Sequence, residues 1–342
     1  MNQTKSIQLY HQLERSHRPV MVSIIVATYN HEGFIEKALD GFLQQITNFR
    51  VEIIINDDAS TDRTASIIKK FENKYQNLFI CVYQNTNQYS KGIKPWVDVL
   101  FPMAQGKYIA ICDGDDFWID KNKLQKQVDF LEKNKEYSAC AHTSDCVYLS
   151  KNGDRTENEI TNSFKQNNKI DFDTDVSVFE LFSSYPFQTA TFMMKRHEFE
   201  SKKKWLNTLK QGDINLFIIM GSIGKIRKFK KPMSVYRIHG DGVSSLWESS
   251  NNQRESKPAV QTLKFGVDQI NGLIKLRSLY KSELSEVDKG INHRITQYID
   301  QSVTEKQIKY YFKFLIHYLK VTNIYSIRAY WLIGSIKNIL FK

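Results

Sequence analysis

Paired cysteines, abundant proline and long uncharged apolar runs are all missing from this chain. Its four cysteines (Cys81, Cys112, Cys140, Cys146) form no C-x-x-C pair in 342 residues, so no disulfide framework can be read and none is needed for a core of this size. Cys81, Cys112 and Cys140 fall in apolar runs and read as reduced core thiols of a cytosolic protein. Six prolines, 41% hydrophobic and 25% charged residues exclude a disordered chain. No uncharged apolar stretch is long enough to span a bilayer. Met1 to Pro19 is polar and lacks the apolar core of a signal peptide. What is present in excess is positive charge, +11 net. No helix-turn-helix, zinc-finger or RNA-recognition pattern accompanies it, so no nucleic-acid partner is expected. Phosphates, other anionic ligands or a membrane surface fit the charge equally well.

A strand-then-helix rhythm organises the first 145 residues. Apolar, β-branched runs begin near Val22, Val51, Leu78, Tyr108 and Tyr137, spaced 27 to 30 residues apart, the length of a strand, a crossover helix and two turns. The runs are apolar on both faces, as parallel strands covered on both sides require. Glu32 to Gln45, Asp62 to Tyr75 and Lys121 to Lys133 have helical spacing. Ser60-Thr61-Asp62 supplies N-cap chemistry for the second. The Asn-rich segment Asn152–Asp171 reads as a long surface loop or hairpin, and Asp173 to Ser245 as mixed short helices and strands. From about Ser249 the pattern becomes amphipathic helix, with Leu263, Val267, Ile270, Ile274 and Leu284 on its apolar side.

Chemistry concentrates where strands end. The run YIAIC stops at Asp113-Gly114-Asp115-Asp116, three carboxylates in four residues at the edge where open α/β sheets bind ligands. Clustered carboxylates repel unless a cation compensates, so a hard divalent metal is the natural partner and a metal or diphosphate role is expected; a solvated Asp-Gly turn is the plain alternative. Two earlier strand ends are also polar. Tyr29 has a face on which a nucleobase stacks, and Asp58 has oxygens for a ribose hydroxyl or base N–H. Lys91 and Lys94 are within reach of a diphosphate or are merely solvated. Gln188 and Thr189, after Tyr185-Pro186-Phe187, are candidates for an acceptor pocket.

The set VSIIVATYN, INDDASTDRT, GKYIAICDGDD, QGD and YRIHGDGVS resembles family 2 glycosyltransferases. The resemblance covers Val22 to about Ser245 and leaves the C-terminal hundred residues outside. It implies an α/β fold of GT-A type: a Rossmann-like, mostly parallel sheet flanked by helices, with a C-terminal helical extension. The expected division is an N-terminal segment (1–20), a catalytic domain (21–245, its nucleotide half 21–145 and its acceptor half 146–245) and a helical extension (246–342). By that resemblance Ala27, Tyr29 and Asp58 contact nucleobase and ribose, with Glu32 in the same pocket. Asp115 and Asp116 are the metal- and ribose-binding acids. Asp113 makes the motif a DxDD variant. His239 closes the metal–diphosphate site. Asp213 is the catalytic base, preceded here by Gly212 where Glu is more usual; its local alternative is a helix N-cap.

The implied activity is metal-dependent, inverting transfer of a sugar to a hydroxyl, with Mn2+ or Mg2+. A nucleoside-diphosphate sugar is the donor, a UDP-sugar favoured. The acceptor is a saccharide or lipid-linked saccharide of bacterial surface polysaccharide or glycoconjugate synthesis. The alternatives are a nucleotidyltransferase, which needs a Gly-rich basic loop where ATYNHEGF stands, and an inactive nucleotide-sugar-binding protein. From Lys306 the chain has seven Lys or Arg and no acid among Tyr, Phe, Leu and Trp. This tail reads either as a helix packed on the enzyme or as a peripheral membrane contact, placing the protein in the cytoplasm, at the inner face of the cell membrane in the second case.

Overall fold

The structure is a computed structural model that describes residues 19–148, 172–208, 212–239, 256–304 and 307–322. The expected loop Asn152–Asp171 and the last twenty residues of the basic tail lie outside these. The chain forms two compact units: Met1–Val176 with Phe187–Lys204 and Ile223–Gly240, and Ser177–Pro186 with Trp205–Ser222 and Asp241–Lys342. The division differs from one drawn at residue 245, because the helices beginning at Val178 and Gly212 group with the C-terminal helices.

The first unit is built on a sheet with nine strands among the described residues. Strands β1 (Val20–Thr28), β2 (Arg50–Asp57), β3 (Phe79–Tyr83) and β4 (Tyr108–Ile111) are parallel, in the order β3-β2-β1-β4. Each begins within two residues of its expected start. Ile24, Ile25, Ile53, Ile54 and all of β4 are buried, each large aliphatic side chain contributing about 1.5–3 kcal/mol of burial. Beyond β4 the sheet turns mixed. It continues through β8 (Met193–Lys195), β6 (Tyr137–Tyr148), β9 (Lys225–Ile238) and β5 (Phe117–Trp118), with β7 (Thr174–Asp175) paired to β9.

Helices α1 (Ile35–Leu43), α2 (Thr64–Lys74) and α3 (Lys123–Lys133) cover the parallel half. Their apolar faces are those the spacing predicts, with Ile35, Leu39 and Phe42 buried on α1 and Leu124, Val128 and Leu131 on α3. At the start of α2 the capping oxygen comes from Asp62, which accepts the Thr64 N–H at 2.9 Å. Ser60 is used elsewhere, its hydroxyl accepting the Asn30 N–H.

The second unit is helical: α4 (Val178–Ser183), α5 (Gly212–Gly221), α6 (Ser256–Leu276), α7 (Leu284–Thr304) and α8 (Ile308–Thr322). Helix α5 is apolar on every side apart from Asp213 and Asn215, and Ile214 to Met220 are buried, the pattern of a helix enclosed by neighbours. The Tyr280 hydroxyl donates to the Ile218 carbonyl, and the Arg294 guanidinium donates to Phe182 O at 3.0 Å and Ser184 O at 2.8 Å. Leu263 and Ile270 are buried as expected, but Leu284, the first residue of α7, is exposed. In α8 Tyr311 and Phe314 are buried, Phe314 stacking on Tyr298. The described part of the basic tail is therefore a packed helix. No helix among the described residues is long and apolar enough to cross a membrane.

Candidate active site

Parallel pairing aligns the strand ends. Thr28 sits beside Asp57, and Asp57 beside Tyr83, while Ile25 pairs with Ile111. The residues that follow β1, β2 and β4 therefore leave the sheet at one edge. The acid turn is pinned there by its own backbone: Gly114 N–H donates to Ala27 O at 3.0 Å, and Asp116 N–H to Asp113 O at 3.2 Å. Gly114 is required, since a Cβ would stand 2.6 Å from Thr28 Oγ1 and 2.9 Å from His31 Nδ1.

Strand β9 brings in the remaining groups. Its antiparallel register on β5 sets Val235 opposite Phe117, so the next residues of β9 run back over the acid turn. The Arg237 N–H donates to Asp116 Oδ1 at 2.9 Å, and its guanidinium donates to Asp115 O at 2.9 Å. One residue past the strand, His239 Nε2 lies 3.2 Å from Asp115 Oδ2. His31, which follows Thr28-Tyr29-Asn30, places its own Nε2 3.8 Å from the same oxygen.

The two acids differ in character. Burial, then the charge of Asp115, pushes the Asp116 carboxyl well above the usual carboxylate range, the Arg237 N–H offsetting only part. Asp115 is also raised by burial, but the His239 hydrogen bond and the imidazole charges outweigh this and hold it below that range. Asp115 is thus the ionised acid facing the imidazoles, and Asp116 the one tied to the β9 backbone. Among the described residues no three His, Cys, Asp or Glu side chains stand ready-made around a metal. A cation here would take a carboxylate from Asp115 and an imidazole from His239, whose Nδ1 is buried without a partner among the described residues. That mixed O/N donor pair is of a kind that Mn2+ or Mg2+ accepts.

The expected nucleotide residues line the same edge in different ways. Tyr29 is 41% exposed and Ala27 half-buried, leaving a ring face open to a base. Asp58 is buried and both its oxygens are used, accepting Gln88 N–H at 2.8 Å and Tyr89 N–H at 3.0 Å. It therefore shapes the loop carrying exposed Tyr89, and any base contact must share its lone pairs. Glu32 pairs with Arg63 at 3.1 Å while its N–H donates to Asp62, clasping the loop after β1 to the loop after β2. Lys91 Nζ donates to Thr86 Oγ1 at 2.6 Å. Lys94 is half-buried, and burial lowers its pKa.

Gln188 and Thr189 open a short turn in the first unit, half-exposed and held from behind: Trp118 Nε1 donates to Ala190 O at 2.9 Å and Gln127 Nε2 to Thr191 O at 2.9 Å. Asp213 belongs to the second unit, in the first turn of α5. Its Oδ1 accepts the Ile214 N–H at 2.8 Å. Burial raises its pKa, the Ile214 hydrogen bond and Arg294 partly offsetting this. Two groups escaped the sequence reading. His31 carried a signal, directly after the Thr-Tyr-Asn, and Arg237 stood one residue from Ile238-His239.

The edge geometry is that of a GT-A sheet, and the chain belongs to glycosyltransferase family 2: the family description "Glycosyl transferase family 2" matches residues 23–199, just over half of the chain. Among individual proteins it is similar to the uncharacterized protein Rv1520 of Mycobacterium tuberculosis, 33% identical over 233 residues, covering 68% of this chain and 62% of that protein. The chain thus spans less than two thirds of that relative's length. It is also 38% identical over 117 residues, 34% of this chain and 43% of the other, to the UDP-Glc:alpha-D-GlcNAc-diphosphoundecaprenol beta-1,3-glucosyltransferase WfaP of Escherichia coli. In fold it is similar to the mannosyltransferase PcManGT from Pyrobaculum calidifontis, solved in complex with GDP-Man and Mn2+: TM-score 0.54, 16% identity, covering 98% of this chain and 87% of that one.

Proposed function

We propose that this protein is a metal-dependent, inverting glycosyltransferase that moves a sugar from a nucleoside-diphosphate sugar to a hydroxyl of a saccharide or lipid-linked saccharide. The observation that carries this is the convergence of Asp115 and His239 at the edge where β1, β2 and β4 end, beside the open face of Tyr29. A UDP-sugar is the favoured donor, since WfaP, by its name, uses UDP-Glc. The lipid-linked acceptor in that name and the basic tail support work at the inner face of the cell membrane.

The residues divide the chemistry. Tyr29 and the loop shaped by Asp58 take the nucleoside. Asp115 and His239 would hold the divalent ion, and Arg237 fixes the turn by gripping the Asp115 carbonyl. A bound Mn2+ or Mg2+ neutralises charge gathering on the departing diphosphate. Asp213 takes the proton from the attacking hydroxyl; the burial that raises its pKa makes it a stronger base. Gln188 and Thr189 are assigned to the acceptor.

The test is donor hydrolysis and transfer across a panel of UDP-, GDP- and dTDP-sugars, with and without Mn2+ or Mg2+. Metal-dependent turnover of at least one donor is expected, and Asp115→Asn should lower it on the order of 10^2- to 10^3-fold. Absence of nucleotide binding and of turnover across the whole panel, with either metal, overturns the assignment.

A further inference from the structure

Helix α8 has two faces of different chemistry. On its inner face Tyr310, Tyr311 and Phe314 are buried, the Phe314 ring stacking on Tyr298 of α7 with centroids 5.1 Å apart. Its outer face carries Lys309, Phe312, Lys313 and Ile316, all exposed. At about 100° per residue, these four positions fall within an arc of about 100°. Phe312 is 45% exposed and Ile316 52%. The other large apolar side chains exposed among the described residues each come from a different segment. One exposed apolar residue is ordinary, but two placed one turn apart on a helix form a patch.

The charge on this face has one sign. Helix α8 contains no acid, and from Lys306 onward the sequence has seven Lys or Arg and no Asp or Glu. Neither Lys309 nor Lys313 pairs with a carboxylate among the described residues; Lys313 Nζ lies 5.5 Å from the centre of the Tyr310 ring.

We propose that this outer face of α8 is the surface by which the protein docks on an anionic lipid bilayer. The helix lies along the membrane instead of crossing it, in keeping with its length and lysines. Phe312 and Ile316 enter the boundary between headgroups and acyl chains, while Lys309 and Lys313 reach lipid phosphates on their flexible stems. The proposal rests on the membrane-side part of the proposed function and gives it a surface. Charge decides between this occupant and a second copy of the chain. Two-fold pairing through the same face sets its lysines against one another, with no acid of α8 to neutralise them. An anionic bilayer neutralises both. So small a patch gives reversible attachment.

The full chain is sedimented with vesicles of phosphatidylcholine alone and of phosphatidylcholine mixed equally with phosphatidylglycerol. Binding to the mixed vesicles is expected, falling as salt is raised, with little binding to phosphatidylcholine alone. Lys309→Gln with Lys313→Gln should lower the partition coefficient on the order of tenfold, and Phe312→Ser with Ile316→Ser by about as much. Thermal midpoints should stay near the native value, since all four side chains are exposed, and donor turnover without vesicles should not change. Equal binding by the native chain and both double variants overturns the role of this face, as does failure of the native chain to bind the mixed vesicles. Dimerisation that Phe312→Ser with Ile316→Ser abolishes, in a chain that ignores vesicles, assigns the face to a second copy and also overturns it. These outcomes leave the transferase reading to its own donor panel. Vesicle binding by a chain that turns over no donor overturns the transferase reading alone.

Discussion

Ala59 sits at φ +62°, in the turn between Asp58 and Ser60. A left-handed backbone costs a residue with a Cβ about 1–2 kcal/mol, and Asn30 and Asn77, the other two such positions, are of the type that tolerates it. Alanine is not, so its neighbours must hold it: Asp57 accepts both the backbone N–H and the hydroxyl of Ser60. Ala59→Gly relieves that strain and gives back about 0.5–1 kcal/mol through the freer unfolded chain. A net gain of about 0.5–1 kcal/mol is expected, read as a raised midpoint in denaturant unfolding; a lowered midpoint would show that the methyl group makes a contact worth more than the strain. At this scale the sequence told least about pairing. Asp58 was visible as a polar strand end, but its service to Gln88 and Tyr89 depends on a loop whose path only the fold supplies. His31 reads as one more polar residue until β9 comes back over the acid turn.

Helix α3 contains a lysine where its apolar face should be unbroken. Lys123 is fully buried, its Nζ donating to Gln127 at 2.8 Å and lying 4.0 Å from the centre of the Trp118 ring. Burial lowers its pKa to about 7. In the unfolded chain the amine keeps its proton to about pH 10.4. Between the two values the unfolded state binds more protons, so stability rises as pH rises from 7 to 10 and is lowest below 7, where both states are charged. The expected rise is on the order of 2–4 kcal/mol. Lys123→Met, similar in volume and without charge, should be more stable near pH 7 and should lack the rise. Denaturant midpoints of both proteins at pH 7 and pH 9.5 decide it: parallel pH dependence would mean that the native amine is not desolvated. The strands and helices themselves were legible because a parallel strand covered on both faces is apolar throughout. The short antiparallel strands were not, since β5 and β8 are two and three residues long, too short for any periodicity to show.

For the whole molecule, the sequence showed where the acids lie but not how the chain divides. The proposed base, Asp213, and the proposed metal-binding acids fall in different compact units, and no local pattern marks α5 as a companion of helices beginning about forty residues later. Asp213→Asn is expected to abolish transfer, by on the order of 10^2- to 10^4-fold, while nucleotide affinity measured by calorimetry stays at the native value. Transfer that survives the change would move the base to another residue.

The enclosure of α5 also carries a consequence for synthesis. Seven consecutive buried residues, Ile214 to Met220, leave the ribosome well before Tyr280, whose hydroxyl bonds the backbone of this helix. At about 5–20 residues per second, that apolar stretch waits on the order of 4–15 seconds for its cover. During each round of translation the nascent chain offers a holdase a defined greasy target, one that shrinks once Tyr280 has been made.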